Sequence, residues 1–174
     1  MSHSSHSSNP LTAVATAVLA VLAAIGTLVD NKTASQILAA KNQAILNRTG
    51  AADAANIYQS HLIREQIYEA ALAVNPSVAA PAREQLESVA REESAAARPY
   101  LQREQLYEQA VSAENDQAQR FTEKHDLYDV AVTLVEIAIA IVSIYALTSS
   151  TYLAGFGGLC AAAGIGAFFY ALLR

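Results

Sequence analysis

Glu136 is the one charged residue in the apolar stretch from Val130 to Leu147. An ionisable side chain within a membrane span is costly and normally turns toward a bundle interior, another helix or an aqueous path. Asp129, Thr133, Ala140 and Ser143 lie three, four and seven residues from it and share its helical face. A polar stripe of Asp129, Thr133, Glu136 and Ser143 suits two kinds of chemistry. In an oligomeric pore it would carry protons or cations, with Glu136 as the charge-bearing station. Alternatively, a protonated or hydrogen-bonded Glu136 ties neighbouring helices together. The second reading is favoured, because the spans hold no other charge to complete a relay.

The remaining reactive residue types are dispersed. His3 and His6 stand in a Ser-rich start, and two ligands there do not make a metal site. His61 and His125 each have a carboxylate four residues on, Glu65 and Asp129. That spacing suits a metal on a helix surface, but a solvated helix face is the simpler account. Cys160 is the sole cysteine and has no basic neighbour, so neither a disulfide framework, a zinc spacing nor an activated thiol follows. Gly155-x-Gly157 lies inside an apolar run and follows no strand, which disqualifies it as a nucleotide loop. No nucleophile elbow is present. We therefore expect no enzyme activity, no cofactor and no metal. Arg residues alternate with Glu in a chain of net charge −5, which argues against nucleic-acid binding.

Three apolar runs must position these residues: Leu11 to Val29, Val130 to Leu147 and Tyr152 to Leu173. Each approaches the roughly 20 apolar residues that a helix needs to cross a bilayer. All 11 Lys and Arg lie between the first two runs or after the third, at Arg174. Since cytoplasmic loops carry the basic excess, this implies a multi-pass protein whose N-terminus is outside and whose polar domain and C-terminus are in the cytoplasm. The start, residues 1–10, has no Lys or Arg and so lacks the basic region of a signal peptide. The expected order is an uncharged tail over 1–10, spans at 11–29, 130–147 and 152–174, a helical hairpin over 30–129, and a short outside turn at 148–151.

The polar domain is rich in Ala, Gln, Glu, Asn and Arg, residues that suit long solvated helices. Asn75-Pro76-Ser77 is its clearest turn signal. It divides the domain into two arms, each about 65 to 75 Å long if unbroken. Arg98-Pro99 marks a possible kink in the second. Similar arm lengths predict an antiparallel hairpin, and the fold class is all-α. The arms share an echo, Arg64-Glu65-Gln66-Ile67-Tyr68-Glu69 and Arg103-Glu104-Gln105-Leu106-Tyr107-Glu108. Two copies speak more for a shared packing demand than for a duplicated binding element. Tyr100, Tyr107, Phe121 and Tyr128 recur at heptad spacing, interrupted at Glu114, and with Tyr68 they form the candidate hairpin seam. Ala154, Gly158, Ala162 and Gly166 recur every fourth residue, a pattern that lets membrane helices approach closely, within one chain or between chains. The Ala-rich first arm offers a thin apolar face, so association with further copies or with other membrane subunits is expected. Lys32 and Lys41 are placed to touch anionic lipid headgroups.

The Ala-rich first span, the Ala34 to Ala44 stretch (ASQILAAKNQA), Asn56-Ile57-Tyr58-Gln59 before the Arg64-Glu65 helix, and Asp126 to Ile144 ahead of a Gly/Ala-rich last span carry a resemblance. On these segments the chain resembles the bacterial membrane proteins catalogued as domain of unknown function 4337. The resemblance implies three spans with a helical insert, a bacterial inner-membrane location and no established activity. Family members usually carry an uncharged polar residue where Glu136 stands, so the resemblance assigns Glu136 no role.

Overall fold

The computed structural model describes residues 10–173 and contains three helices, with no strand among the described residues. They are α1 (Pro10–Val74), α2 (Ala80–Thr148) and α3 (Thr151–Leu173). Of the expected tail over 1–10, residues 1–9 with His3 and His6 lie outside the described residues, as does the terminal Arg174, and Pro10 opens α1. Each helix contains a window long and apolar enough to cross a membrane.

The turn between α1 and α2 falls where the sequence signals it. Asn75 O accepts from Val78 N at 3.2 Å, closing a β-turn with Pro76 at its second position. The pyrrolidine ring presets that position's φ. Ala79 O then accepts from Ala82 N and Arg83 N, both at 3.0 Å. Pro81 sits in this opening turn, where a missing N–H leaves no helical bond unmade. Pro99 does not break α2, which runs unbroken past it. The carbonyl its ring deprives of a donor belongs to Ala95, which is exposed, so water can satisfy it. The turn from α2 to α3 has Ser149 at φ 54°, with its N donating to Tyr145 O at 2.8 Å. This is the left-handed position that often ends a helix, filled here without glycine.

The chain divides into two compact units. One takes the chain up to Leu38 and from Ala118 onward, and the other is Ala39–Gln117.

The second unit is a hairpin of the α1 and α2 arms, and its seam is made of alanine. Ala40, Ala44, Ala54, Ala90 and Ala97 are its buried apolar residues. Contacts run antiparallel: Gly50 meets Tyr107, and farther along α1 His61 meets Glu93, farther back along α2. Gly50 is needed here for space, since a Cβ would stand 2.8 Å from Cζ of the Tyr107 ring.

In the first unit all three helices meet. Leu19 and Ala23 of α1, Val135 and Ala138 of α2, and Cys160 of α3 form the buried cluster. Glycines set the approach. A Cβ on Gly26 would lie 2.7 Å from Val132, and one on Gly164 would lie 2.9 Å from the Ala131 carbonyl oxygen. The larger side chains point the other way. Leu11, Val18, Val21, Leu28, Leu159 and Leu172 are all more than half exposed.

Helix propensity alone says that Gly50→Leu stabilises α1 by roughly 0.8 kcal/mol. The Tyr107 ring reverses the sign. We expect a net loss of about 1–3 kcal/mol in thermal unfolding of the full chain, relieved in a Gly50→Leu, Tyr107→Ala double variant.

Candidate functional site

The polar stripe sits on the outside of the membrane-length unit. Ala131, Val135 and Ala138 turn inward to the three-helix cluster. Helical geometry therefore turns Asp129, Thr133, Glu136 and Ser143 away from it, and all four are exposed. The Ser143 hydroxyl donates to its own helix, to Ile139 O at 2.8 Å. Among the described residues none hydrogen-bonds or ion-pairs with the Glu136 carboxylate. A carboxylate in an apolar helix thus projects from the face that the chain itself leaves uncovered.

Within the chain, α3 packs through Gly157, Cys160, Gly164 and Ala171, its buried residues. The expected small-residue stripe lies to one side of these. Ala154 is half-buried, Ala162 is exposed, and Cβ atoms built on Gly158 and Gly166 would meet nothing within 4 Å. Ala154 and Gly158 line an open apolar groove of about 590 Å³ with Leu11, Val18 and Tyr145. Steric need for glycine in α3 therefore falls at Gly157 and Gly164, seven residues apart.

The aromatic residues divide between the two units. Tyr68, Tyr100 and Tyr107 are half-buried in the hairpin, Phe121 is half-buried in the other unit, and Tyr128 is buried there. Tyr100 stacks on His61 with centroids 5.7 Å apart, and the Arg103 guanidinium lies 5.8 Å from the Tyr100 ring centre. Tyr128 packs against Phe168 of α3 at 5.5 Å. Both copies of the echo turn their tyrosine inward and the preceding aliphatic outward, Ile67 being 59% and Leu106 66% exposed. A packing demand accounts for the tyrosines; it leaves the outward aliphatics unexplained.

Sequence spacing did not reveal the partners of the two described histidines. His61 Nδ1 lies 2.6 Å from Glu93 Oε2 of α2, not against Glu65, and Arg64 approaches the same oxygen at 3.8 Å. His125 Nδ1 lies 2.5 Å from Asp30 Oδ1 of α1 rather than against Asp129. An ionised carboxylate can only accept, so each Nδ1 carries the proton and donates. Side-chain exposures of 18% for His61 and 19% for Glu93 leave that bond largely shielded from water. Both contacts clasp α1 to α2, and no group of three or more His, Cys, Asp and Glu able to hold a metal occurs among the described residues.

A family model described as Domain of unknown function (DUF4337) matches residues 8–174. No curated protein and no solved structure matches the chain.

Two stability measurements follow from this geometry. Hydrogen bonds to charged groups contribute about 1.5–3 kcal/mol. A double-mutant cycle of His61→Ala and Glu93→Ala should therefore show a coupling of roughly 1–2 kcal/mol in unfolding experiments. Gly164→Leu should destabilise by about 1–3 kcal/mol, because a backbone oxygen cannot move aside, whereas Gly166→Leu, where a Cβ meets nothing within 4 Å, should leave the chain's own stability unchanged or raise it by up to about 0.8 kcal/mol.

Proposed function

Because the chain belongs to the DUF4337 family, whose description assigns no activity, we propose from its own geometry that it is an integral membrane structural or interaction protein. It self-associates, or serves as an accessory subunit of a membrane assembly. Three helices cross a bacterial inner membrane, with the N-terminal end outside and the α1–α2 hairpin in the cytoplasm.

The observation that carries this reading is the outward Glu136. A charge at the centre of a membrane helix costs about 2.5–3.5 kcal/mol even by the mildest scales. A group left facing lipid by its own chain gains by meeting another helix. The distribution of side-chain size supports the membrane setting. In water a three-helix unit buries its large side chains, yet the spans here bury Leu19 and Val135 beside alanine, glycine and cysteine and leave Leu11, Val18, Val21, Leu28, Leu159 and Leu172 more than half exposed. Lipid tails give no reason to hide leucine, and small residues let helices pack through dispersion. The basic residues support the orientation, with ten of the 11 Lys and Arg falling between Lys32 and Lys124.

A second reading, an oligomeric ion or proton channel, is favoured by one observation. Asp129, Thr133, Glu136 and Ser143 all lie on the same exposed face, where assembled copies would bring them around a common axis.

The mass of the particle extracted in native lipid tests the first reading: we expect a discrete multimer or a complex with other subunits. Glu136→Leu should dissociate it, while Glu136→Gln, which keeps hydrogen-bonding capacity, should largely preserve it. A monomer of unchanged stability would overturn the proposal. Proton or cation flux into liposomes that Glu136→Gln abolishes would establish the channel reading, and flux unaffected by that change would remove it.

A further inference from the structure

The α1 arm of the hairpin is apolar on two opposite faces. One is the alanine seam against α2. The other carries Ile45, Ala52, Asn56, Ile63, Ile67 and Val74, all exposed. At 100° per residue these positions fall within about 40° of a single line on the helix surface. The line is roughly 43 Å long at 1.5 Å per residue. Ile45 is 62%, Ile63 57% and Val74 77% exposed. Exposed Thr49 and Ala70 share this band and exposed Gln59 borders it, so the row is aliphatic with polar breaks, and such a row on a polar arm marks an interaction surface.

We propose that this face is where a second copy of the chain docks, α1 against α1, parallel and in register. The inference rests on the self-association reading above and names the surface that performs it outside the spans.

Two features of the stripe specify a copy of itself rather than an unrelated partner. Asn56 lies on its midline, the one amide among the six residues. A carboxamide both donates and accepts, so it pairs with its own equivalent across a two-fold axis. A single Asn at the centre of a helix seam is a known means of enforcing parallel register, because a slip of one heptad sets the amide against Ile63 on one side. The flanking charges obey the same symmetry. Arg48 lies on one flank and Asp53, five residues on, lies on the other. In a parallel pair, that offset brings Arg48 of each copy opposite Asp53 of its neighbour, giving two equivalent ion pairs. Among the described residues neither has a salt-bridge or hydrogen-bond partner. Copies inserted in one membrane with one topology present α1 in the same direction, so the parallel arrangement is the only one open to them.

The test is disulfide trapping of the full chain in its native membrane, with Cys160→Ala removing the sole natural thiol. Under mild oxidation, Asn56→Cys should give a homodimer of twice the chain mass. Asn47→Cys, on the opposite, half-buried face of the same helix, should give at least tenfold less. Arg48→Asp should slow trapping at position 56 about fivefold, which is what the loss of roughly 1 kcal/mol means. Combining it with Asp53→Arg should restore the rate. A multimer by native mass whose position 56 does not cross-link, or cross-links no faster than position 47, overturns this interface while leaving self-association standing. An adduct to a different polypeptide overturns the second copy as occupant. A particle that is monomeric by native mass overturns both.

Discussion

How near two helix backbones can come decides most of what this chain looks like. In both units the contact is made through residues with little or no side chain. Alanine lines the arm seam, and Gly26, Gly157 and Gly164 stand where a β-carbon would press on Val132, on Ile141 or on the Ala131 carbonyl. Close approach increases dispersion contact along the whole length of the helices. It also leaves little room for large side chains in the seam beyond Leu19, Val135 and Tyr128, so most of the others point outward. Exposed leucine, isoleucine and valine are therefore a consequence of the packing mode. Around the three-helix unit they belong to windows long and apolar enough to cross a membrane, whereas on the arms they stand among polar residues.

A thin seam also changes what keeps the arms aligned. Alanine against alanine buries little area and discriminates weakly between neighbouring registers. Shape and charge supply the discrimination instead. The Tyr107 ring fills the space over Gly50, and the His61–Glu93 hydrogen bond with Tyr100 stacked on the imidazole cannot be kept if the arms slide. In the membrane-length unit, Tyr128 against Phe168 and the His125–Asp30 bond act in the same way. Sparse, directional contacts thus define a hairpin whose apolar surface is nearly featureless.

Function is sought on the outer surfaces for the same reason. Among the described residues no group of three or more His, Cys, Asp and Glu could hold a metal. What distinguishes this chain is presented outward: Glu136 on an apolar helix, and an aliphatic stripe with Asn56 at its midline on the α1 arm. A group that is costly to leave uncovered and a surface that is costly to leave in water would both be satisfied by the proposed association.

Hydropathy, the Asn75-Pro76 turn and the similar lengths of the two arms made three helices and a hairpin legible from the residues alone, because each is a property read along the chain. Whatever depends on which way a helix faces was not legible. Small residues occur on several sides of α3, so spacing could not choose between Gly158–Gly166 and Gly157–Gly164; contact with Ala131, Val135 and Ile141 chose the latter. Carboxylates stand four residues after both described histidines, yet the partners lie on the other arm, Glu93 and Asp30, where antiparallel packing brings them. That Glu136 points outward likewise follows from Ala131, Val135 and Ala138 occupying the inner face. Periodicity, hydropathy and turn chemistry act along the chain and can be read in one dimension. Register and facing are set by contacts between residues far apart in sequence, and only the packed structure supplies them.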